Sequence, residues 1–196
     1  MQILVATGNT HKLEEIRAFL RDFAGDWVGL DRLEHPPEID EDGDTFEANA
    51  EKKARVMAAF SGMWTLADDS GLEVDALGGA PGVHSARYGG VHGDNAANNR
   101  KLLADLEGQV DRCARFRCVI ALASPEGEVR SVSGSVEGRI ATACRGTRGF
   151  GYDPLFIPAG YEESFGLLPA SVKANISHRA QACERASEAW HKLLRT

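Results

Sequence analysis

The sequence lacks long apolar runs and an excess of positive charge. Its longest apolar runs, such as Cys118 to Ala123, are far shorter than the roughly 20 residues of a membrane-spanning helix. The 22 Lys and Arg are outnumbered by 29 Asp and Glu, which gives a net charge of −7. Because such a surface repels polyanions, we expect no membrane partner and no nucleic-acid partner. The amino-terminal segment also lacks the basic region and cleavage site of a signal peptide, so we expect a cytoplasmic protein.

Paired cysteines are missing as well. The four cysteines form no Cys-x-x-Cys pair and have no His at zinc-ligand spacing. We therefore expect reduced, mostly buried thiols without a metal or redox role. The cysteines are Cys113, Cys118, Cys144 and Cys183.

What remains is typical of an ordinary globular domain. The chain has 196 residues, of which 43% are hydrophobic and 26% charged. At this length one core folds without a disulfide or a structural metal. No repeat, low-complexity segment or linker marks a boundary, so we predict one domain over residues 1–196.

Hydrophobic spacing predicts strands that alternate with helices. The β-branched run from Gln2 to Thr7 predicts a strand that ends at Gly8-Asn9. A helix should follow, because apolar residues then recur at helical spacing. These residues are Leu13, Ile16, Phe19, Leu20 and Phe23. Asp44 and Glu47 have the spacing of a capping box before a second helix. The apolar face of that helix is Phe46, Ala50, Ala54 and Met57.

The remaining segments complete an α/β pattern. Trp64 to Ala67 predicts a strand that ends at Asp68-Asp69-Ser70-Gly71, before a glycine-rich loop. Asp94 is a candidate cap for a helix with inward leucines, and Glu128 to Ala143 favours at least one more pair of strands. The other expected elements are an alternating strand through Phe116, Cys118, Ile120 and Leu122, and a last helix from near Ser177 with Cys183, Ala186, Trp190, Leu193 and Leu194 on one face. The fold class is therefore α/β with a mixed sheet.

The segment Thr7-Gly8-Asn9-Thr10-His11-Lys12 lies where a strand ends and a helix begins. Backbone N–H groups at a helix start attract anions, and Lys12 adds a full charge. The glycine and Lys-Ser/Thr patterns of the common nucleotide-binding loops are absent. Taken alone, an ordinary tight turn with a solvated lysine explains the segment slightly better.

Two acidic clusters point to a divalent cation. Asp68 and Asp69 are adjacent, and in an extended strand their side chains would point in opposite directions. The second cluster is Glu38, Asp40, Glu41, Asp42 and Asp44. Several carboxylates are the hard oxygen ligands that Mg²⁺ takes beside substrate phosphates. A hydrogen-bonded turn and a solvated acidic loop are the competing explanations.

Two further groups lie towards the carboxyl end. Phe150-Gly151-Tyr152-Asp153 offers a flat aromatic face with an acceptor beside it, although, taken alone, aromatic core packing is the commoner explanation. Lys173, Ser177, His178 and Arg179 collect positive charge at a predicted helix start, where the helix dipole disfavours it. An anionic or carbonyl-bearing ligand would account for that placement.

The order and spacing of these segments resemble the inosine triphosphate pyrophosphatase family of the Ham1 type, nearly from end to end. The matching segments are Thr7 to Lys12, Gly43 to Ala50, Ala67 to Leu72, Leu77 to Gly82, Ser85 to Tyr88, Gly149 to Pro154, and Ser177 to Arg179. The resemblance implies an elongated central mixed sheet flanked by helices, with two lobes, a cleft between them and a homodimer. It also implies Mg²⁺-dependent hydrolysis of ITP, dITP and XTP to the monophosphate and pyrophosphate.

The resemblance also implies residue roles. Asp69 would be the proton acceptor, and it would bind metal together with Asp40 and Glu41. Substrate contacts are implied for Thr7, Gly8, Asn9, Thr10, His11, Lys12, Lys53, Ser70, Phe150, Gly151, Tyr152, Asp153, Lys173, His178 and Arg179. Phe150 would stack on the base, and His178 and Arg179 would donate to its 6-oxo group. Adenine has an amino group there, so it would leave buried donors unpaired.

Two other readings stay open. A Maf-like pyrophosphatase for other modified nucleotides would share part of this pattern, but Phe150 to Asp153 and Ser177 to Arg179 argue against it. A nucleotide-sensing module without catalytic activity would have kept the phosphate-binding turn. The retained Lys12, Asp68 and Asp69 argue against that module.

Overall fold

A computed structural model describes residues 2–19 and 26–194. Leu20 and Phe23 of the first predicted helix lie outside this part of the chain, as do the side chains of Phe19, Leu193 and Leu194. Within it, no helix combines the length and the apolar character that crossing a membrane requires.

Most strands and helices occur where the hydrophobic spacing predicts them, and the structure adds two short strands and one short helix. The strands are β1 (Gln2–Val5), β2 (Asp26–Gly29), β3 (Trp64–Val74), β4 (Cys113–Ala123), β5 (Val129–Ile140) and β6 (Phe156–Pro158). The α-helices are α1 (Thr10–Phe19), α2 (Phe46–Ser61), α3 (Asn95–Asp105), α4 (Ala170–Ile176) and α5 (His178–Leu194). Short 3₁₀ turns lie at Leu30–Arg32, Asp75–Leu77 and Gly82–Arg87.

The six strands form one sheet in the order β2-β1-β3-β4-β5-β6. Strand β1 runs parallel to both β2 and β3, whereas β5 and β6 are antiparallel. The sheet is therefore mixed, and the predicted α/β fold class is confirmed.

The chain divides into two compact units, in agreement with the two predicted lobes. The first unit comprises Met1–Asp69, Cys118–Gly134 and Arg179–Thr196. Its core joins β1, β3 and β4 to α1 and α5. Fully or almost fully buried members include Ile3, Val5, Ile16, Leu66, Ile120, Ala186 and Trp190. The predicted inward faces of α1 and α5 are confirmed at Ile16, Cys183, Ala186 and Trp190.

The second unit comprises Ser70–Arg117 and Ser135–His178. Its core is more aromatic, with Phe116, Tyr152, Phe156 and Phe165 packed around Leu72, Val74 and Leu102. Asp94 caps α3 as predicted, since its side chain accepts a hydrogen bond from the N–H of Ala97 at 2.9 Å.

Four predicted details are wrong. The cap of α2 is Thr45, whose hydroxyl accepts from the N–H of Ala48, and not Asp44. Strand β3 does not end at Asp68 to Gly71 but runs on to Val74, because Leu72 and Val74 bury their side chains in the second core. Residues 129–140 form one long strand, not a pair. Only two of the four free cysteines, Cys118 and Cys183, are buried.

Candidate active site

Asp68, on β3, lies in a buried group of opposite charges in the first unit. Its carboxylate accepts from Lys12 Nζ at 3.0 Å and from a terminal guanidinium nitrogen of Arg179 at 3.2 Å. Arg179, only 1% exposed, also pairs with Glu15 of α1. Three elements of distant sequence, α1, β3 and α5, are thus joined through these charges.

Burial by itself would raise the pKa of Asp68, because a carboxylate loses hydration inside a protein. The positive charges of Lys12, Arg179 and Lys53 outweigh that effect and hold the pKa of Asp68 well below its usual range. Burial would lower the pKa of Arg179, but the negative charges of Asp68 and Glu15 raise it. Asp68 is therefore an ionised carboxylate whose charge is balanced by Lys12 and Arg179.

Asp69, the next residue of β3, has different neighbours. Successive side chains of a strand point to opposite faces, and Asp69 contacts α2. It accepts from Asn49 Nδ2 at 3.1 Å and lies 3.7 Å from Lys53 Nζ. Lys53 in turn contacts the Glu41 carboxylate at 2.9 Å. Asp69 thus shares one lysine with a second carboxylate.

Burial raises the pKa of Asp69, and the negative charge of Glu41 raises it further. Lys53, Lys12 and the hydrogen bond from Asn49 oppose the shift but do not cancel it. Burial would lower the pKa of Lys53, yet the charges of Asp69, Asp68 and Glu41 raise it. Asp69 is therefore a stronger base than an exposed aspartate, and Lys53 stays protonated beside it.

The predicted phosphate-binding turn is present, but its own side chains occupy its N–H groups. Asn9 Oδ1 accepts from the backbone N–H of His11 at 3.0 Å and of Lys12 at 3.2 Å, and the backbone N–H of Asn9 donates to Thr7 Oγ1. Gly8 and Thr10 are exposed beside them. These amides would be available to an anion only after Asn9 moves, whereas the Lys12 ammonium lies beside Asp68.

Of the carboxylates in the acidic loop, Glu41 lies near Asp69, because both contact Lys53. Glu41 reaches Lys53, whereas Asp42 forms an outer pair with Lys52 at 2.6 Å, and Asp40 is exposed. Within residues 2–19 and 26–194 no three His, Cys, Asp or Glu side chains lie together as a preformed metal cage. Glu41 and Asp69 nevertheless fit Mg²⁺, which uses one or two carboxylates and takes its other ligands from water and substrate phosphates.

The predicted aromatic loop lies in the second unit, and we call residues 149–153 the Phe150 loop. Asp153 is buried and accepts from the backbone N–H of Phe150 at 2.8 Å and from Lys173 Nζ at 2.6 Å. The Lys173 ammonium also lies 4.4 Å from the centre of the Phe150 ring. Asp153 and Lys173 therefore hold the backbone and the ring of Phe150, which is itself half-buried.

Two other residues predicted to contact the base, Tyr152 and His178, pack against residues of the second unit. The Tyr152 ring is in the second core, and its hydroxyl donates to the Ser85 carbonyl at 2.8 Å. His178 is buried and stacks on Phe116, with ring centres 4.8 Å apart. Ser70 is half-buried on β3.

No sequence pattern assigns an individual role to Asp68, Glu15 or Asn49. In the sequence, Asp68 is only one member of an adjacent acidic pair. Glu15 has no local signal, since its partner Arg179 is 164 residues away. Asn49 lies in the recognised Gly43 to Ala50 segment, and its side chain also accepts from the Gly43 N–H at 2.8 Å. A buried asparagine in an otherwise apolar helix face was the available signal.

This fold, with a buried base beside lysines and carboxylates, defines an α/β protein equipped for acid–base chemistry on an anionic substrate. The Ham1 family model matches residues 3–189, and the chain belongs to this family. The predicted family is thereby confirmed. A protein of Desulforamulus reducens named dITP/XTP pyrophosphatase is 47% identical over 195 residues, which are 98% of this chain and 97% of the relative.

Solved structures agree in fold. The Ham1 protein of Staphylococcus aureus is 36% identical, with a TM-score of 0.90 over 98% of this chain and 100% of that one. A HAM1 protein from Coxiella burnetii is 39% identical, with a TM-score of 0.91 over 98% and 99%.

Proposed function

We propose that this protein hydrolyses deaminated purine nucleoside triphosphates, namely ITP, dITP and XTP. The products would be the nucleoside monophosphate and pyrophosphate, so the enzyme would cleanse the nucleotide pool. The observation that carries the proposal is the pair Asp68 and Asp69, adjacent carboxylates of which one is neutralised by Lys12 and Arg179 and the other is a strengthened base beside Lys53. Its support also includes the dITP/XTP pyrophosphatase named above.

In this reaction the oxygen of water forms a bond to the α-phosphorus, and the bond from the α-phosphorus to the α–β bridging oxygen breaks. The bridging oxygen leaves with pyrophosphate. Asp69 accepts the proton of that water, since its raised pKa favours proton transfer. Lys12 and Lys53 supply positive charge for the triphosphate and for the leaving pyrophosphate. Little covalent chemistry is asked of the protein, so positioning and electrostatic stabilisation provide most of the rate.

Glu41 and Asp69 would hold Mg²⁺, with Asp40 as a third candidate ligand. When bound, the cation would supply charge neutralisation at the phosphate oxygens. The Lys53 ammonium contacts the Glu41 carboxylate at 2.9 Å and lies 3.7 Å from Asp69, so both carboxylates lie beside the same positive charge. A cation bound to them would replace part of that contact.

The Phe150 loop would bind the base. Phe150 would stack on the purine, and Asp153 and Lys173 would keep the ring in place. His178 and Arg179 would donate to the 6-oxo group, and Thr7 to His11 and Ser70 would contact the substrate. Arg179 would then exchange part of its present contact with Glu15 or Asp68 for the ligand.

We also propose that the protein is a cytoplasmic homodimer, as the resemblance to the family implies. Light scattering behind size-exclusion chromatography measures the dimer directly. A mass of one chain at micromolar concentration would contradict it.

A nucleotide panel tests the function. Pyrophosphate release is measured with ITP, dITP, XTP, GTP, ATP and a modified pyrimidine triphosphate, each with Mg²⁺ and with excess EDTA. We expect turnover of the first three at rates at least a hundredfold above ATP, and none with EDTA. Equal turnover of ATP and ITP would contradict the specificity, activity on the pyrimidine alone would indicate a Maf-like enzyme, and no release from any nucleotide would indicate a sensing module.

A further inference from the structure

The backbone conformation around Phe150 is not determined by its two flanking glycines alone. Phe150 lies between Gly149, with φ +73°, and Gly151, with φ +61°. Both values are in the left-handed region, which glycine adopts without strain but does not favour over its other conformations. Nothing lies within 4 Å of the position that a Gly151 Cβ would take. Hydrogen bonds therefore stabilise the observed conformation of the Phe150 loop: one lies within its backbone, from the Asp153 N–H to the Phe150 carbonyl at 3.2 Å, and others come from side chains.

Three side chains make such bonds. Asp153 accepts from the Phe150 N–H, and the Tyr152 hydroxyl donates to Ser85, so two of the three belong to the loop itself. The third is Asn99 of α3, whose Nδ2 donates to the Gly151 carbonyl at 3.1 Å. Asn99 lies 52 residues away in the sequence and connects the loop to a regular helix of the same unit.

Asn99 is unusual because half of its amide is unused. The residue is 7% exposed, and its Oδ1 has no hydrogen-bond partner among the residues that the structure describes. A buried acceptor without a partner costs stability, and an apolar side chain of the same size would fill this volume without that cost. What an apolar residue cannot provide is the donor to Gly151.

The neighbouring Asn98 shows the contrasting case. It is also buried, with 2% exposed, and both ends of its amide are used: Oδ1 accepts from the Gly89 N–H at 2.6 Å, and Nδ2 donates to the Ala86 carbonyl at 3.2 Å. Asn98 therefore ties α3 to the 86–89 segment. Two adjacent asparagines of one helix thus hold two different loops.

We propose that Asn99 is a positioning residue for base recognition, which it serves by fixing the Gly151 carbonyl and with it the ring of Phe150. This proposal rests on the proposed function, because it assigns the Phe150 loop to the base. Asn99 acts through the loop backbone and sets how well the loop is preorganised before substrate arrives.

Kinetic constants for ITP separate positioning from mere packing. Asn99→Leu removes the unmet acceptor but also the donor to the half-buried Gly151 carbonyl, so we expect a melting temperature close to that of the wild type and KM for ITP raised about tenfold. Asn99→Ala should raise KM similarly with a lower melting temperature. The control Asn98→Ala should lower the melting temperature and leave KM within about twofold. A normal KM in Asn99→Leu, or equal KM changes in Asn98→Ala and Asn99→Ala, would overturn the proposal.

Amide hydrogen exchange of the free protein gives a second test that needs no substrate. We expect Asn99→Leu to accelerate exchange in peptides that cover 149–153 but not in those that cover 86–90, and Asn98→Ala to do the reverse. Unchanged exchange at 149–153 in Asn99→Leu would overturn the positioning role. If the wild type hydrolyses no ITP, the proposed function fails, and the exchange result still decides whether Asn99 holds the loop.

Discussion

Two carboxylates that follow one another on β3 have opposite surroundings. Asp68 contacts Lys12 and Arg179, from α1 and α5, and its pKa is lowered despite complete burial. Asp69 contacts α2, where it shares Lys53 with Glu41, and its pKa is raised. Two neighbouring aspartates therefore differ in basicity: the pKa of Asp68 is lowered, and the pKa of Asp69 is raised.

The difference follows from the alternation of a strand. Because consecutive side chains point to opposite faces, two identical residue types reach different helices without any special backbone. Environments that push the pKa values of two neighbouring acids apart are how enzymes assign separate roles to them. We infer that Asp68 organises the charges of the first unit, while Asp69 performs the chemistry.

The largest effect is expected at Asp69. Asp69→Asn removes the proton acceptor and a metal ligand but keeps the size of the side chain, so kcat/KM for ITP should fall about a thousandfold or more. The melting temperature should not fall, because a buried carboxylate with a raised pKa is replaced by a neutral amide. Retention of a tenth of the activity in pyrophosphate-release assays would refute the assigned role.

Asp68→Asn should damage the fold more than the chemistry. Lys12 and Arg179 would lose a buried counter-charge, and removal of one partner from a buried ion pair costs about 3 kcal/mol. Urea unfolding measures this loss in the free energy of unfolding. If Asp68→Asn is as stable as the wild type, the carboxylate does not organise the first unit.

Lys53 and Lys52 allow a matched test of the Asp69 side. Lys53 lies between Glu41 and Asp69, whereas its neighbour Lys52 pairs only with the exposed Asp42 among the described residues. Lys53→Ala should lower kcat/KM for ITP about a hundredfold through lost charge stabilisation. Lys52→Ala should change neither kcat/KM by more than about twofold nor stability by more than about 0.5 kcal/mol. Equal effects of both substitutions would show that general surface charge, and not the position of Lys53, matters.

The smallest effect is a difference in how stability depends on pH. Asp68 has a folded pKa below 3.8, so its contribution is complete above pH 3.8 and is lost as pH falls further. Asp69 has a folded pKa above 3.8, so its ionisation costs stability as pH rises from 3.8. Urea unfolding from pH 3 to pH 7 should show the wild-type advantage over Asp68→Asn shrinking as the pH falls below 4. The advantage of Asp69→Asn over the wild type should grow above that pH. If the free energy of unfolding depends on pH in the same way in the wild type and both variants, Asp68 and Asp69 do not differ in their folded pKa values as described.

The sequence predicted four helices (α1, α2, α3 and α5), the mixed sheet and the family, because hydrophobic spacing and local motifs carry that information. It did not predict the short helix α4. It failed where tertiary packing decides. The Asp-Asp-Ser-Gly segment resembles a turn, yet it stays extended because Leu72 and Val74 on its far side enter a core. The partnership of Arg179 with Glu15 joins residues 164 apart, and no local pattern encodes it. A local contact was not predicted either: the Asn9 side chain accepts from the N–H groups of His11 and Lys12 in the turn whose phosphate-binding role stays a prediction.

The most direct measurement is a carboxyl-carbon NMR titration of the free protein, with Asp69→Asn and the conservative Asp68→Glu used for assignment. The account predicts that the Asp69 signal titrates above pH 3.8 and that the Asp68 signal titrates below it. Two signals that titrate together near 3.8 would contradict it, because the two faces of β3 would then provide the same electrostatic environment.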